Sequence, residues 1–482
     1  MDSSLSKISA IVSKEVKGDK KNASIPNETH RVVKPHMGSW GCSSIIIGIV
    51  IGVSVFEVPF LVFGNVATPL RGLGAWLLGG ILSLIGALCY AELATTYPKM
   101  GGDYSYLTKA FSPYVGYLFG WGRLGVMQTG SIGALAYVFA NYANRIFTGI
   151  DPVWFAAVVV ILLTFVNILG VKFGKSAQNL LTSLKVVGII AIIVAGFFVN
   201  SGEAFVVVNP VGSAGFGFAM IMILYAFGGW NEAAFVAAEM RDPLKNIPKA
   251  LIVSISAITI VYLVINLAYL YGLGFEGLRS SRAPAADILE LMLGPWGAGI
   301  MSTIIVLSVL GALNGTILTG SRVYAAMGED HKIFSIMGRW SPKFNTPMWS
   351  FIFQGAITVI MIFGVGTQFG QNVLDTFLQF IGLSKLPWSS YGGGFGTLIA
   401  GTAPVFWTFL LLTGSSLFVL RFREKKTQRV FSVPFFPILP GIFCMTCLYM
   451  LYSSIIYAKG LMIFGVALMI LGAPFYIVGR KK

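Results

Sequence analysis

Twelve long apolar runs dominate the chain, near residues 44–64, 73–97, 114–144, 153–171, 179–199, 215–238, 251–272, 297–321, 348–365, 399–420, 434–457 and 460–478, with short polar or basic segments between them. Most exceed the roughly 20 apolar residues that a helix needs to cross a bilayer. The pattern predicts an all-α membrane protein with twelve transmembrane helices. Two runs carry a helix break at matching depth: Gly52-Val53-Ser54 near the middle of the first, and Phe227-Gly228-Gly229-Trp230-Asn231 near the middle of the sixth. Each half of the first ten runs starts with such a break, and the second half starts after an odd number of crossings. This predicts two inverted five-helix repeats, 43–200 and 214–421, with spans eleven and twelve, 434–478, appended. Residues 366–397 form an outer insertion, in which Asn372 to Phe380 reads as a short helix and Tyr391 to Gly396 as too rich in glycine for one.

Composition agrees with a polytopic membrane protein: 56% of the 482 residues are hydrophobic and 11% charged, against roughly 45–50% and about 25% in soluble domains. A formal charge of +15 would suit nucleic acid only if the basic residues shared one soluble face, and here they fall between apolar runs. Their distribution reports topology. With the N-terminus inside, 26 of the 34 basic residues lie on inner segments and six on outer loops, which puts both termini, 1–42 and 479–482, in the cytoplasm. The first of these is basic and lacks an apolar h-region, so it reads as a disordered tail and not as a signal peptide. The three histidines, His30, His36 and His331, stand outside the apolar runs, which excludes an intramembrane histidine relay. Cys444 and Cys447 form a C-x-x-C, but inside an apolar helix they share one face and pack as small hydrophobes.

A broken helix frees backbone N–H and C=O groups, each costly in lipid unless it lines a protein cavity. Half-helix ends that meet at one midplane point suit a zwitterion: the positive N-terminal ends attract a carboxylate and freed carbonyls attract an ammonium. The candidate binding residues are therefore Ile51, Gly52, Val53 and Ser54 in the first span, with Tyr225, Ala226, Phe227, Gly228, Gly229 and Asn231 in the sixth. Lys185 interrupts the apolar run Leu180 to Val199, where a charge costs about 2.5–3.5 kcal/mol on insertion scales. It is a candidate for proton coupling or for a built-in structural cation. Arg123 in the third span needs a partner, and sign alone nominates Glu57 as the other half of an intramembrane charge pair. Were Glu57 to face the ligand instead, it would favour cationic substrates. Glu92 reads as an inner-surface anchor, and Glu239, Arg241 and Asp242 as an inner-gate cluster.

Several stretches together resemble the amino acid/polyamine/organocation transporter superfamily, and more narrowly the bacterial form of its L-type amino-acid transporter branch. They are Ile85 to Leu93 with Gly101 to Tyr106, Tyr225 to Asn231 followed by Pro243 to Ala250, Gly320 to Tyr324 after Asn314, and Val433 to Pro437. The resemblance implies the LeuT-like fold of two inverted repeats. It also implies a carboxylate site at Gly52, an amine site at Tyr225 to Gly228 with Tyr225 as aromatic gate, a polar contact at Asn231, and Lys185 in place of a sodium ion. The usual first-span G-S-G or G-A-G reads Gly52-Val53-Ser54 here. Animal relatives in this branch join a heavy subunit through a cysteine between spans three and four, and Arg145 to Pro152 contains none, so no disulfide-linked subunit is expected.

The reading that follows is a secondary active transporter of the cell membrane, not an enzyme, that moves neutral L-amino acids by proton symport or exchange with alternating access. It needs no cofactor and no metal. The alternatives are a polyamine or cationic amino-acid carrier and, from another class, a non-transporting amino-acid sensor on the same fold.

Overall fold

The computed structural model describes residues 47, 50–52, 54–97, 102–170, 175–207, 215–230, 243–344 and 346–479. Helices account for its regular structure, and no strand occurs among the described residues. Six helices there are long and apolar enough to cross a membrane.

Past the first break, α1 runs Ser54–Gly64, followed by α2 (Pro69–Thr96), a short α3 (Asp103–Ala110) and α4 (Pro113–Gly122). The third apolar run is not one regular helix. A wide π turn, Arg123–Met127, joins α4 to α5 (Gln128–Ile146), and the Gln128 N–H reaches back to the Arg123 carbonyl. Next come α6 (Pro152–Ile168), α7 (Lys175–Val199), α8 (Phe216–Ala226), α9 (Pro243–Ser280), α10 (Pro284–Leu293) and α11 (Pro295–Asp330). The left-handed Gly274, at φ 72°, kinks α9. The chain continues through α12 (Met348–Gly366), α13 (Gln368–Phe380), α14 (Gly393–Arg423), α15 (Ile438–Ala458) and α16 (Leu461–Gly479).

Helix starts repeat one local solution. Thr68, Ser112 and Asp151 each cap a helix whose first residue is proline, and each side-chain oxygen accepts a backbone N–H of the first turn. Proline costs nothing there, because its missing N–H would have had no partner.

The short helix expected at Asn372 to Phe380 forms part of α13. The glycine-rich stretch after it departs from expectation: α14 starts at Gly393 and runs through Gly396. Packing overrides propensity here. A Cβ at Gly394 would stand 2.4 Å from the Tyr137 ring, so the absence of a side chain is what lets α14 seat against α5. On the C-x-x-C, Cys447 is buried and both thiols are free, as is Cys89.

Helix α9 packs along α2 and α7, while α5 is surrounded by α11, α6, α14 and α12. The short α1 packs against both α8 and α9, and α8 also lies against α2 and α15.

Candidate functional site

Both breaks are real interruptions. In the first span the Gly52 N–H bonds to the Val50 carbonyl at 2.6 Å, a tight local turn before α1 begins at Ser54. In the sixth, α8 stops at Ala226; the Gly228 N–H bonds to the Tyr225 carbonyl at 2.9 Å, and Gly229 takes φ 101°, a region that glycine alone enters cheaply.

One hydroxyl joins them. Tyr262 Oη, from the middle of α9, lies 2.8 Å from the Val50 carbonyl and 3.0 Å from the Ala226 carbonyl, so a single buried O–H is shared between the freed backbone of both spans. Its ring is fixed edge-on against Trp76 at 5.3 Å and Phe227 at 5.0 Å. Nothing in the spacing of residues 50, 226 and 262 announces this contact.

A cavity of about 400 Å³ opens beside the breaks. Gly52, Ser54, Tyr225, Ala226, Gly228 and Gly229 line it, together with Lys185 of α7, which is 8% exposed. Ile51 and Phe227 are buried behind the wall. Val53 and Asn231 lie outside the described residues, as do Glu239, Arg241, Asp242 and the tail 1–42. Tyr225 meets Phe395 edge-on at 5.9 Å.

The expected Glu57–Arg123 pair does not form. Arg123 is turned into the cavity by the π turn, where its Nε donates to Gln128 Oε1 at 3.1 Å; the Gln128 amide in turn donates to the Thr316 carbonyl at 2.9 Å. Glu57 is not part of the cavity wall and accepts from Asn141 Nδ2 at 2.7 Å. Sign suggested the pair, but a π turn changes which way the residues before it face.

At the far end of α2, Glu92 is buried among several partners rather than standing as a single surface charge. It accepts from Arg421 Nε at 2.7 Å and from the Val433 N–H at 2.7 Å, with Arg429 Nε at 3.5 Å. Nearby, Glu424 pairs with Lys109 at 3.1 Å and accepts from Tyr97 Oη at 2.9 Å. Partial burial pulls the Glu424 carboxyl up, but the hydrogen bonds from Lys109 and Tyr97 outweigh it and hold the carboxyl below its ordinary range.

The amino acid permease family matches residues 37–478. This chain belongs to that family. The permease is 30% identical to the serine/threonine exchanger SteT of Bacillus subtilis, over 93% of this chain and 98% of that protein. It is 30% identical to the b(0,+)-type amino acid transporter 1 of Mus musculus, over 86% of this chain and 81% of that one. It is 28% identical to the large neutral amino acids transporter small subunit 2 of Mus musculus, over 93% and 81% respectively. It is thus a multi-pass membrane protein and a secondary amino-acid transporter, not an enzyme.

Proposed function

We propose that this permease carries neutral L-amino acids by alternating access through twelve spans, arranged as two inverted five-helix repeats, 43–200 and 214–421, with 434–478 appended and both termini on the cytoplasmic side of the cell membrane. The observation that carries the reading is the shared Tyr262 hydroxyl, which gathers the freed carbonyls of Val50 and Ala226 at the edge of one cavity. In this reading the broken backbone at Ile51, Gly52, Val53 and Ser54, at the positive end of α1, receives the substrate carboxylate. Backbone of Tyr225, Ala226, Phe227, Gly228 and Gly229, with Asn231, receives the ammonium. Tyr225 closes over the bound substrate.

Lys185 supplies a fixed positive charge in the same cavity, in the role a sodium ion would fill, which supports sodium-independent exchange or proton symport. The cavity volume suits an amino acid, at the small end of the roughly 300–1,000 Å³ typical of ligand pockets. Among the described residues, Arg123 and Lys185 stand on the wall with one carboxylate, Asp103, which already accepts from the Tyr90 hydroxyl, and Glu57 does not; two cations against one engaged acid weigh against the cationic and polyamine alternative. The relatives, a serine/threonine exchanger and a large neutral amino acids transporter, support neutral substrates, and the first supports exchange. With no cysteine from Arg145 to Pro152, the transporter works without a disulfide-linked heavy subunit.

The test is counterflow in proteoliposomes, with the twenty amino acids and common polyamines offered with and without a pH gradient. Neutral L-amino acids are expected to exchange. Flux restricted to polyamines would overturn the substrate class, and binding without flux would turn the reading to a sensor.

A further inference from the structure

Glu57 sits on α1 one turn beyond the first break, 2% exposed. Asn141 Nδ2 reaches its Oε1 at 2.7 Å, while no protein donor reaches Oε2. Close by on α9, the Tyr269 hydroxyl is 0% exposed and also has no hydrogen-bond partner. Glu57, Tyr142 and Tyr269 lie within one another's electrostatic reach. The Tyr142 hydroxyl is committed to the Phe56 carbonyl at 2.9 Å, which fixes the backbone next to the acid.

Charged groups around this cluster leave the acid without an ion-pair partner. Arg145 of α5 is paired at 2.8 Å with Asp287 of α10, which also takes the Ser281 hydroxyl. Arg282, exposed in the turn between α9 and α10, acts on Glu57 only at longer range. Helix α8, which also packs on α1, has no charged side chain. On α2, Arg71 is exposed at one end and Glu92 is bound to Arg421 at the other. A carboxylate in this setting would be an uncompensated buried charge, whereas a neutral acid gains a donor and loses the charge.

We propose that Glu57 is the group that takes up and releases a proton during transport, a site separate from the substrate cavity. A proton from water on one side of the membrane adds to the carboxylate to give the carboxylic acid as α1 seals against α5 and α9, and it returns to water on the other side from the same carboxyl when α1 moves out. Coupling follows from position: Glu57 is three residues past Ser54, which lines the cavity, so any movement of the break also moves the acid. Protonation favours the sealed arrangement by whatever the charge would cost there, which is the differential affinity that linkage requires.

The inference rests on the transport reading above, and exchange at equal pH on both sides of the membrane tests that reading alone. In proteoliposomes Glu57→Gln is expected to keep equal-pH exchange within about twofold of the parent and to lose the accumulation driven by an inward proton gradient. Gradient-driven accumulation that survives in Glu57→Gln, or a parent indifferent to the gradient, overturns the proposal. Should Glu57→Gln fail to fold, Asn141→Leu removes the one donor to the carboxylate. It is expected to move the pH of half-maximal uptake upward, and an unmoved midpoint overturns the proposal equally.

Discussion

Replacing Tyr262 by phenylalanine deletes one oxygen and keeps the ring that meets Trp76 and Phe227 edge-on. The oxygen lost is the donor shared by the Val50 and Ala226 carbonyls. One proton cannot make two full hydrogen bonds, and the Val50 carbonyl keeps the Gly52 N–H, so the loss is that of a single buried donor, about 1–3 kcal/mol. If that energy holds the two breaks in register for the substrate, affinity falls by about 5–150-fold, since each 1.4 kcal/mol is tenfold. Equilibrium binding of a labelled neutral amino acid to the purified protein reads this directly, with a thermal melt to confirm folding. Tyr137→Phe serves as control, because its hydroxyl donates to the Ile362 carbonyl at 2.8 Å in a bond that supports α12 and not the breaks. It should cost stability and leave affinity unchanged. A folded Tyr262→Phe variant that binds within about twofold of the parent would refute the argument that this hydroxyl aligns the two spans.

Three further outcomes are expected. Lys185→Ala should lower uptake by about tenfold or more, the consequence of removing a buried charge from a polar site, and uptake equal to the parent's would remove Lys185 from the role of fixed cavity charge. Gly228→Ala places a Cβ 2.9 Å from the Tyr225 carbonyl and should abolish substrate binding while the protein still folds, whereas Gly64→Ala, with nothing within 4 Å, should match the parent in both; binding assays and melts separate the cases. Because Glu424 is held below the ordinary carboxylate range, its stabilisation is complete at neutral pH, remains above roughly pH 4.3, and is lost as pH falls through the lowered value. Melting temperatures of parent and Glu424→Gln should therefore differ at neutral pH and converge in acid.

The chain announced its helices and its two breaks because apolar length and clustered glycine are local signals. Gly52 and Gly228 were legible for the same reason that they matter: no side chain defends the helix there. Tyr262 was not legible, since its role depends on three helices meeting and a tyrosine in an apolar run looks like core. The Glu57–Arg123 expectation failed because charge sign carries no direction; the π turn at Arg123–Met127 sends that arginine into the cavity toward Gln128. The start of α14 was missed because low helix propensity at Gly393 to Gly396 was weighed without the Tyr137 ring that requires it.

That π turn has a consequence for how the cavity can be re-lined. A π turn holds one residue more than regular winding accommodates, so deleting a single residue between 123 and 127 would restore an ordinary helix. The flanking residues would keep their present faces, because the bulge already absorbs the extra residue. Regular winding of the undeleted sequence would instead swing everything upstream by about 100° about the axis relative to everything downstream. The third span is in effect two rods splined on one shaft, and a shift of the spline would exchange the whole set of side chains offered to the substrate in a single step.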